Sequence, residues 1–471
     1  MLLRYFYDDK LAHASYLVGC QATGEAVVID PNRDVDMYLQ VAEANNMQIV
    51  GVTETHIHAD FVSGSREIAE RTGARLFVSD EGDENWKYQF LDGYNHQLLK
   101  DGDEFWAGNV KLTAMHTPGH TPEHISFLLT DTAKTQEPVG IFTGDFVFVG
   151  DIGRPDLLEE AAGMVGTADV GARQMFRSLQ RFAALPDYLQ VWPAHGAGSA
   201  CGKALGAVPS TTVGYEKLFG WAFQIDEEEA FVEALLAGQP EAPKYFAEMK
   251  KVNKVGPKVL NGGPHPALMP CSRMAGLTER EAVIVDTRSA EQYAAGYVPG
   301  TINIPQEMLA GWAGWILNYE TPFYLITDPD SLEDAIHSLI YIGLDNIAGY
   351  FETSAITMLE QNGMALDSYD LAHPLELAAK IEAGSVDLID VRGQGEWEEE
   401  HIEGAKHYML GFLQDRAGEL INGKPIVVQC QSSARAAIGA SILKAHGANE
   451  VINMVGGMTA WKNAGLPVGH S

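Results

Sequence analysis

The chain has 471 residues, with 32 Lys and Arg against 64 Asp and Glu, a formal net charge of −32. That charge argues against nucleic acid or an anionic membrane surface as the main partner, since both are polyanions. The length suggests about three domains. Four cysteines (Cys20, Cys201, Cys271 and Cys430) are too few for a disulfide scaffold and fit a reducing, cytoplasmic setting. Leu17-Val18-Gly19-Cys20 has the form of a lipoprotein cleavage box. However, Arg4, Asp8, Asp9, Lys10 and His13 interrupt any apolar signal core before it, and no apolar run approaches the ~20 residues of a membrane helix.

Residues 1 to about 245 alternate short β-branched runs with helical stretches. Residues 26–31 read as a buried strand ending in a turn at Asp30-Pro31, and 47–53 as a second strand leading into Glu54-Thr55-His56. Residues 66–72 read as a helix stopped by Gly73. Strands also end at Gly144-Asp145 and at Ala194-His195. The chemistry-bearing side chains therefore sit where strands give way to loops. Thr55-His56-Ile57-His58-Ala59-Asp60-Phe61 gathers two imidazoles and a carboxylate, His120 follows a Pro-Gly turn, and Asp145 and His195 close later strands. Imidazole and carboxylate are ligands for divalent iron and zinc, so the ordered set points to a metal site.

With Thr117-Pro118-Gly119-His120-Thr121-Pro122, Phe142-Thr143-Gly144-Asp145, Gly153-Arg154-Pro155-Asp156 and Trp192-Pro193-Ala194-His195-Gly196, this segment resembles the metallo-β-lactamase fold. Within that fold it looks most like the persulfide dioxygenases, relatives of glyoxalase II. The resemblance implies an α/β protein whose first domain, 1–245, is an αββα sandwich. It implies one Fe(II) per such domain, held by His56, His120 and Asp145, with open positions for substrate sulfur and dioxygen, as in facial-triad oxygenases. Glyoxalase II-type hydrolases carry a further His at the end of the His-x-His-x-Asp motif and hold two metals. Here that place is Phe61, which has no ligand atom. His58, Asp60 and His195 are then expected to orient ligands or bound water, and His58 would still ligate if the metal were zinc. Arg154 is either a binder of the anionic substrate or a surface arginine. Cys201 either approaches the metal-site entrance or is a bystander.

A lysine-bearing, Pro/Gly-containing stretch follows, read as a linker over 246–270 or a solvated helix face. Beyond it the chain repeats itself. Val283-Ile284-Val285-Asp286-Thr287-Arg288 matches Asp387-Leu388-Ile389-Asp390-Val391-Arg392. Downstream, Tyr293, Val298 and Gly300 match Trp397, Ile402 and Gly404. This predicts two copies of one α/β unit, 271–366 and 367–471.

In the second copy Cys430 follows an apolar strand and precedes an Ala-rich helix, with Arg435 in the first turn. A thiol facing a helix N-terminus and an arginine is favoured as the nucleophilic thiolate. The signature Asp390-Val391-Arg392, Glu396-Trp397 and His401-Ile402-Glu403-Gly404-Ala405 resembles rhodanese, a sulfurtransferase whose cysteine carries sulfane sulfur. Cys430 and Arg435 are its implied catalytic residues. Ser433 stands where glycine is frequent. The first copy has Asp328-Pro329-Asp330 at the cysteine position and is expected to be inactive and structural.

The expected activity is oxidation of a low-molecular-weight thiol persulfide, glutathione persulfide or similar, by O2 to sulfite and free thiol. It would be coupled to sulfur transfer involving sulfite and thiosulfate. Resemblance also implies homo-oligomers. The alternatives are a glyoxalase II-like zinc thioester hydrolase, and a sulfur carrier or scaffold with a vestigial metal domain.

Overall fold

The structure is a computed structural model that describes all residues except 158, 160–165, 204, 279, 281 and 471. The chain forms two compact units, Met1–Gly263 with Ile340–Gly343, and Pro264–Leu339 with Leu344–Ser471. No helix among the described residues is long and apolar enough to cross a membrane.

The first unit holds two six-stranded sheets. One takes β1 (Leu2–Asp8), β2 (His13–Cys20), β3 (Glu25–Ile29), β4 (Gln48–Thr53), β5 (Arg75–Ser79) and β6 (His96–Leu99) in chain order. The other comprises β7 (Glu104–Ala107), β8 (Val110–His116), β9 (Ile125–Asp131), β10 (Gly140–Gly144), β11 (Gln190–Pro193) and β12 (Thr211–Thr212), also laid side by side in sequence order. Helices α1 (Asp36–Ala44) and α2 (Ser65–Thr72) cover the first sheet, and α3 (Thr167–Ala183) covers the second.

Strand β3 shows why its run is wholly apolar. Ala26 and Val28 enter the core beneath α1 and α2, while Val27 and Ile29 enter the core between the sheets with Phe105, Phe127 and Phe142. A strand covered on both faces has no polar side to display. The result is the αββα sandwich. Gly73, at φ +72, ends α2 in the left-handed conformation that glycine adopts without strain.

The stretch read as a linker is partly a helix of this unit. Helix α4 (Phe246–Val255) buries Phe246, Met249 and Asn253. Its lysines do not make a solvated face, because Lys250 lies almost wholly buried with its ammonium 3.4 Å from the centre of the Trp86 ring.

The second unit contains the two repeats. The first has four parallel strands, β13 (Val283–Asp286), β14 (Ile302–Asn303), β15 (Phe323–Ile326) and β16 (Ile347–Phe351), in the order β14-β13-β15-β16. The second has five, β17 (Asp370–Ala372), β18 (Asp387–Asp390), β19 (Lys406–His407), β20 (Ile426–Gln429) and β21 (Val451–Met454), in the order β17-β21-β20-β18-β19. The shared Asp-x-Arg signature makes the same contact twice. Arg288 Nη2 donates to Asp286 Oδ2 at 2.7 Å, and Arg392 Nη2 to Asp390 Oδ2 at 2.7 Å.

Four helices matter below: α5 (Ser354–Gln361), α6 (Gln394–Glu399), α7 (Ala434–Ala445) and α8 (Gly457–Asn463). Helix α7 is apolar nearly all round because the first repeat covers it, and Asn303 N–H of β14 donates to Ser441 Oγ of α7 at 3.0 Å.

Candidate metal centre and sulfur-transfer loop

The metal centre gathers where β3, β4, β10 and β11 end. Asp30 terminates β3 with φ +50 and stays buried. Its carboxylate accepts from Thr55 N–H at 2.7 Å and from Thr55 Oγ1 at 3.0 Å, and lies 3.1 Å from His58 Nε2. This fixes the loop that carries His56. Asn253 of α4 clamps the same loop from outside: its Nδ2 donates to the carbonyls of His58 and Phe61 at 2.8 and 2.7 Å, and its Oδ1 accepts from Ser63 N–H at 2.9 Å. Ile57 N–H donates to Glu123 Oε1 at 2.8 Å. Gly144 precedes Asp145 at φ +52, and a Cβ there would lie 2.4 Å from Thr55 Oγ1. Only glycine lets β10 approach the His56 loop so closely.

Ligand atoms of His56, His120 and Asp145 lie within 4.8 Å of one another. His120 Nδ1–H donates to the Arg154 carbonyl at 2.8 Å, which leaves Nε2 facing Asp145 Oδ2 at 3.6 Å. Burial, followed by the neighbouring imidazoles, holds the His56 pKa well below the usual histidine range, and burial lowers that of His120. Both rings are therefore neutral and ready to ligate. His56 Nε2 and both Asp145 oxygens are buried with no hydrogen-bond partner. Orphaned acceptors of this kind are costly in a protein interior, and a divalent cation satisfies all of them. The donor set thus fits a metal.

The remaining residues of the motif form a second layer of contacts. Asp60, His195 and Cys201 also bring ligand atoms within 4.8 Å of one another. His195 Nδ1–H donates to the Ala12 carbonyl at 3.0 Å, and Nε2 lies 3.1 Å from Asp60 Oδ2 and 3.4 Å from Asp145 Oδ1. Burial opposes protonation of His195, but Asp145 and Asp60 outweigh it and raise its pKa to about 9. Burial pushes the Cys201 thiol up, and the Asp60 and Asp145 charges add to it. Phe61 is fully buried, its ring 3.9 Å from that of His13 and 4.4 Å from that of His58.

Arg154 is fully buried and spends its donors on the protein. It pairs with Asp156 at 2.6 Å and donates to the carbonyls of Ala200 and Pro240 at 3.2 and 2.7 Å. Its own N–H donates to the Cys201 carbonyl at 3.1 Å. It thus connects His120 to the loop that bears Cys201.

Sequence reasoning passed over Asp30, Glu123 and Asn253. The Ile29-Asp30-Pro31 strand end carried a signal for the first. Nothing local marks Asn253, whose partners lie some 190 residues away in sequence.

At the other site Cys430 follows β20 and is 1% exposed, and Ala436 N–H of α7 points at its Sγ from 3.4 Å. Ser433 adopts φ +80, which explains why glycine would suit that place. Arg435 forms a two-pronged pair with Glu396 of α6 at 2.6 and 2.7 Å. In the first repeat the strand register puts Thr327, not Asp328, at the place of Cys430, since Asp286 pairs with Ile326 as Asp390 pairs with Gln429. Asp328 follows it and accepts a hydrogen bond from Thr353 Oγ1. Neither a hydroxyl nor a carboxylate carries sulfane sulfur.

Comparisons with known proteins agree with both halves. The metallo-beta-lactamase superfamily model matches residues 8–195, and the rhodanese-like domain model matches 373–464. The crystal structure of a metallo-beta-lactamase from Staphylococcus aureus is 44% identical with a TM-score of 0.67, over 75% of this chain and 99% of that one. That of ETHE1 from Myxococcus xanthus is 28% identical with a TM-score of 0.44, over 54% of this chain and 98% of that one. A hydroxyacylglutathione hydrolase of Rhodospirillum rubrum is 32% identical over 38% of this chain and 60% of its own length. The chain belongs to the metallo-β-lactamase superfamily and carries a rhodanese-like domain at its C-terminal end.

Proposed function

We propose that the first domain oxidises a low-molecular-weight thiol persulfide, such as glutathione persulfide, with dioxygen, and that Cys430 transfers sulfane sulfur. The overall oxidation balances as R-S-SH + O2 + H2O giving R-SH, sulfite and two protons. The observation that carries the reading is Phe61, which removes one ligand from the place a second metal would need, while His56, His120 and Asp145 converge on one point.

An iron(II) ion held by those three would supply adjacent positions for the persulfide sulfur and for dioxygen. The chain's own work is to hold the ligands. The Arg154 carbonyl fixes the His120 ring, and Thr55 Oγ1 lies 3.0 Å from His56 Nδ1. Burial keeps both imidazoles neutral.

At Cys430, the thiolate attacks the outer sulfur of a persulfide, R-S-SH. The sulfur–sulfur bond breaks, R-S⁻ leaves with the electron pair, and Cys430 becomes the persulfide. Sulfite taking that sulfur would yield thiosulfate and restore the thiolate. The backbone amides of the loop and the start of α7 favour the anionic sulfur.

A zinc thioester hydrolase is the second reading, favoured by the extra donor group of Asp60, His195 and Cys201. Oxygen uptake with glutathione persulfide, set beside hydrolysis of S-lactoylglutathione, separates the two. Uptake without hydrolysis supports the dioxygenase, and hydrolysis without uptake overturns it.

A further inference from the structure

The chain carries its own control for what a working cysteine loop requires. In the second repeat, β21 ends at Met454 and α8 is entered through two consecutive glycines in left-handed conformation, Gly456 at φ +73 and Gly457, its first residue, at φ +51. This turn sends the first amides of α8 back into the Cys430 loop. Met458 N–H donates to the Cys430 carbonyl at 2.8 Å and Thr459 N–H to the Gln431 carbonyl at 3.1 Å, while Gln431 Nε2 donates to Thr459 Oγ1 at 3.1 Å. With both carbonyls held toward α8, the loop presents its thiol to the start of α7, where Ala436 N–H meets Sγ.

Gly457 pays no steric toll for this closeness, because it has no side chain. A Cβ there would stand 2.1 Å from the Cys430 carbonyl oxygen and 2.8 Å from the Gln431 carbonyl carbon, both backbone atoms that cannot swing aside. At Gly456 the nearest atom to a Cβ is instead Ala460 Cβ at 2.6 Å, and nothing of the loop is touched.

The first repeat has the same strand and helix, but Thr353 and Ser354 replace the glycines. Thr353 has φ −60, and Ala355 N–H turns back to the Glu352 carbonyl at 2.9 Å. Thr353 Oγ1 donates to Asp328, the residue after Thr327, which the register puts at the cysteine position. The copy without a thiol therefore also lacks the glycine turn and its grip on the loop.

We propose that Gly457 is a positioning residue for sulfur transfer: its missing side chain lets α8 hold the Cys430 and Gln431 carbonyls and so presents the thiol to the Ala436 N–H at the start of α7. This rests on the sulfur-transfer reading of Cys430. Misplacement of a reacting group by about 1 Å costs on the order of a hundredfold in rate.

The test compares Gly457→Ala with Gly456→Ala in the full chain. Both introduce left-handed strain, but only the first strikes the loop. One readout is loading of Cys430 from thiosulfate: the thiolate attacks the outer sulfur, sulfite leaves with the bonding electron pair, and cyanide then removes the sulfur as thiocyanate. The other is the pH dependence of Cys430 alkylation by iodoacetamide. Gly457→Ala is expected to lower kcat by about tenfold or more and to move the alkylation midpoint to higher pH, with Gly456→Ala near wild type in both. Should Gly457→Ala not fold, Thr459→Val, which removes only the hydroxyl that receives Gln431 Nε2, is expected to shift the midpoint in the same direction by less. Equal effects of the two glycine variants, or an unmoved midpoint in Gly457→Ala and Thr459→Val, overturn the proposal. If wild-type protein takes no sulfur from thiosulfate or persulfide, the transfer reading falls, and the alkylation midpoint still decides the role of Gly457.

Discussion

The ring of Phe61 packs 4.4 Å from the imidazole of His58, both fully buried, where the motif of a dinuclear hydrolase would present another histidine. The consequence is testable by restoring the ligand. Phe61→His should raise the metal bound by anaerobically purified protein above one equivalent per chain and depress oxygen uptake with glutathione persulfide. Metal analysis beside an oxygen electrode checks it. An unchanged metal content would mean that Phe61 does not set the nuclearity.

The two sites use different residues and should fail separately. Asp145→Ala removes a ligand and is expected to abolish oxygen uptake while leaving thiosulfate sulfurtransferase activity measurable. Cys430→Ser should abolish sulfur transfer and spare oxygen uptake. Equal loss of both activities in either variant would contradict the division.

Asn253 shows how the metal loop is held from a distance. Asn253→Ala leaves the carbonyls of His58 and Phe61 and the Ser63 N–H without their partner in a buried region. The expected cost is about 3 kcal/mol of stability, since each unpaired buried group costs on the order of 1–3 kcal/mol. Metal retention under chelator challenge should fall with it. Denaturant unfolding of the two proteins measures the cost, and a difference within experimental error would contradict the clamp.

How much of this was legible beforehand follows from where the information lies. His56, His120 and Asp145 could be read because strand ends and short motifs are local features, and the structure brings their ligand atoms together. The two repeats could be read because the same Asp-x-Arg signature makes the same contact in each. The packing of helix α4 could not, because its buried face is interrupted by Lys250, whose charge sits over Trp86 rather than in water. Nor could the engagement of Arg154 and Arg435, since Asp156 is near in sequence but Pro240 and Glu396 are not. Long-range partners of a charged side chain leave no mark on its neighbours in the chain.

Glu123 supplies a pH signature. Burial raises its carboxyl pKa to about 7, from an ordinary value near 4.5. The folded state therefore holds this proton more tightly than the unfolded chain, so stability contributed here falls as pH rises from about 4.5 to about 7 and stays lowered above that. Glu123→Gln keeps an acceptor for Ile57 N–H but cannot ionise. Relative to wild type it should gain about 3 kcal/mol between pH 4.5 and pH 8, at 1.36 kcal/mol per unit of pKa shift. Denaturant unfolding at the two pH values checks this, and a pH-independent difference contradicts it.

The central claim is a single iron in a site built by His56, His120 and Asp145. Its most direct test is the metal content of anaerobically purified protein, measured on the same sample whose oxygen consumption with glutathione persulfide is followed. The account predicts about one iron per chain and stoichiometric oxygen uptake with sulfite formation. Two zinc ions per chain and no oxygen uptake would contradict it.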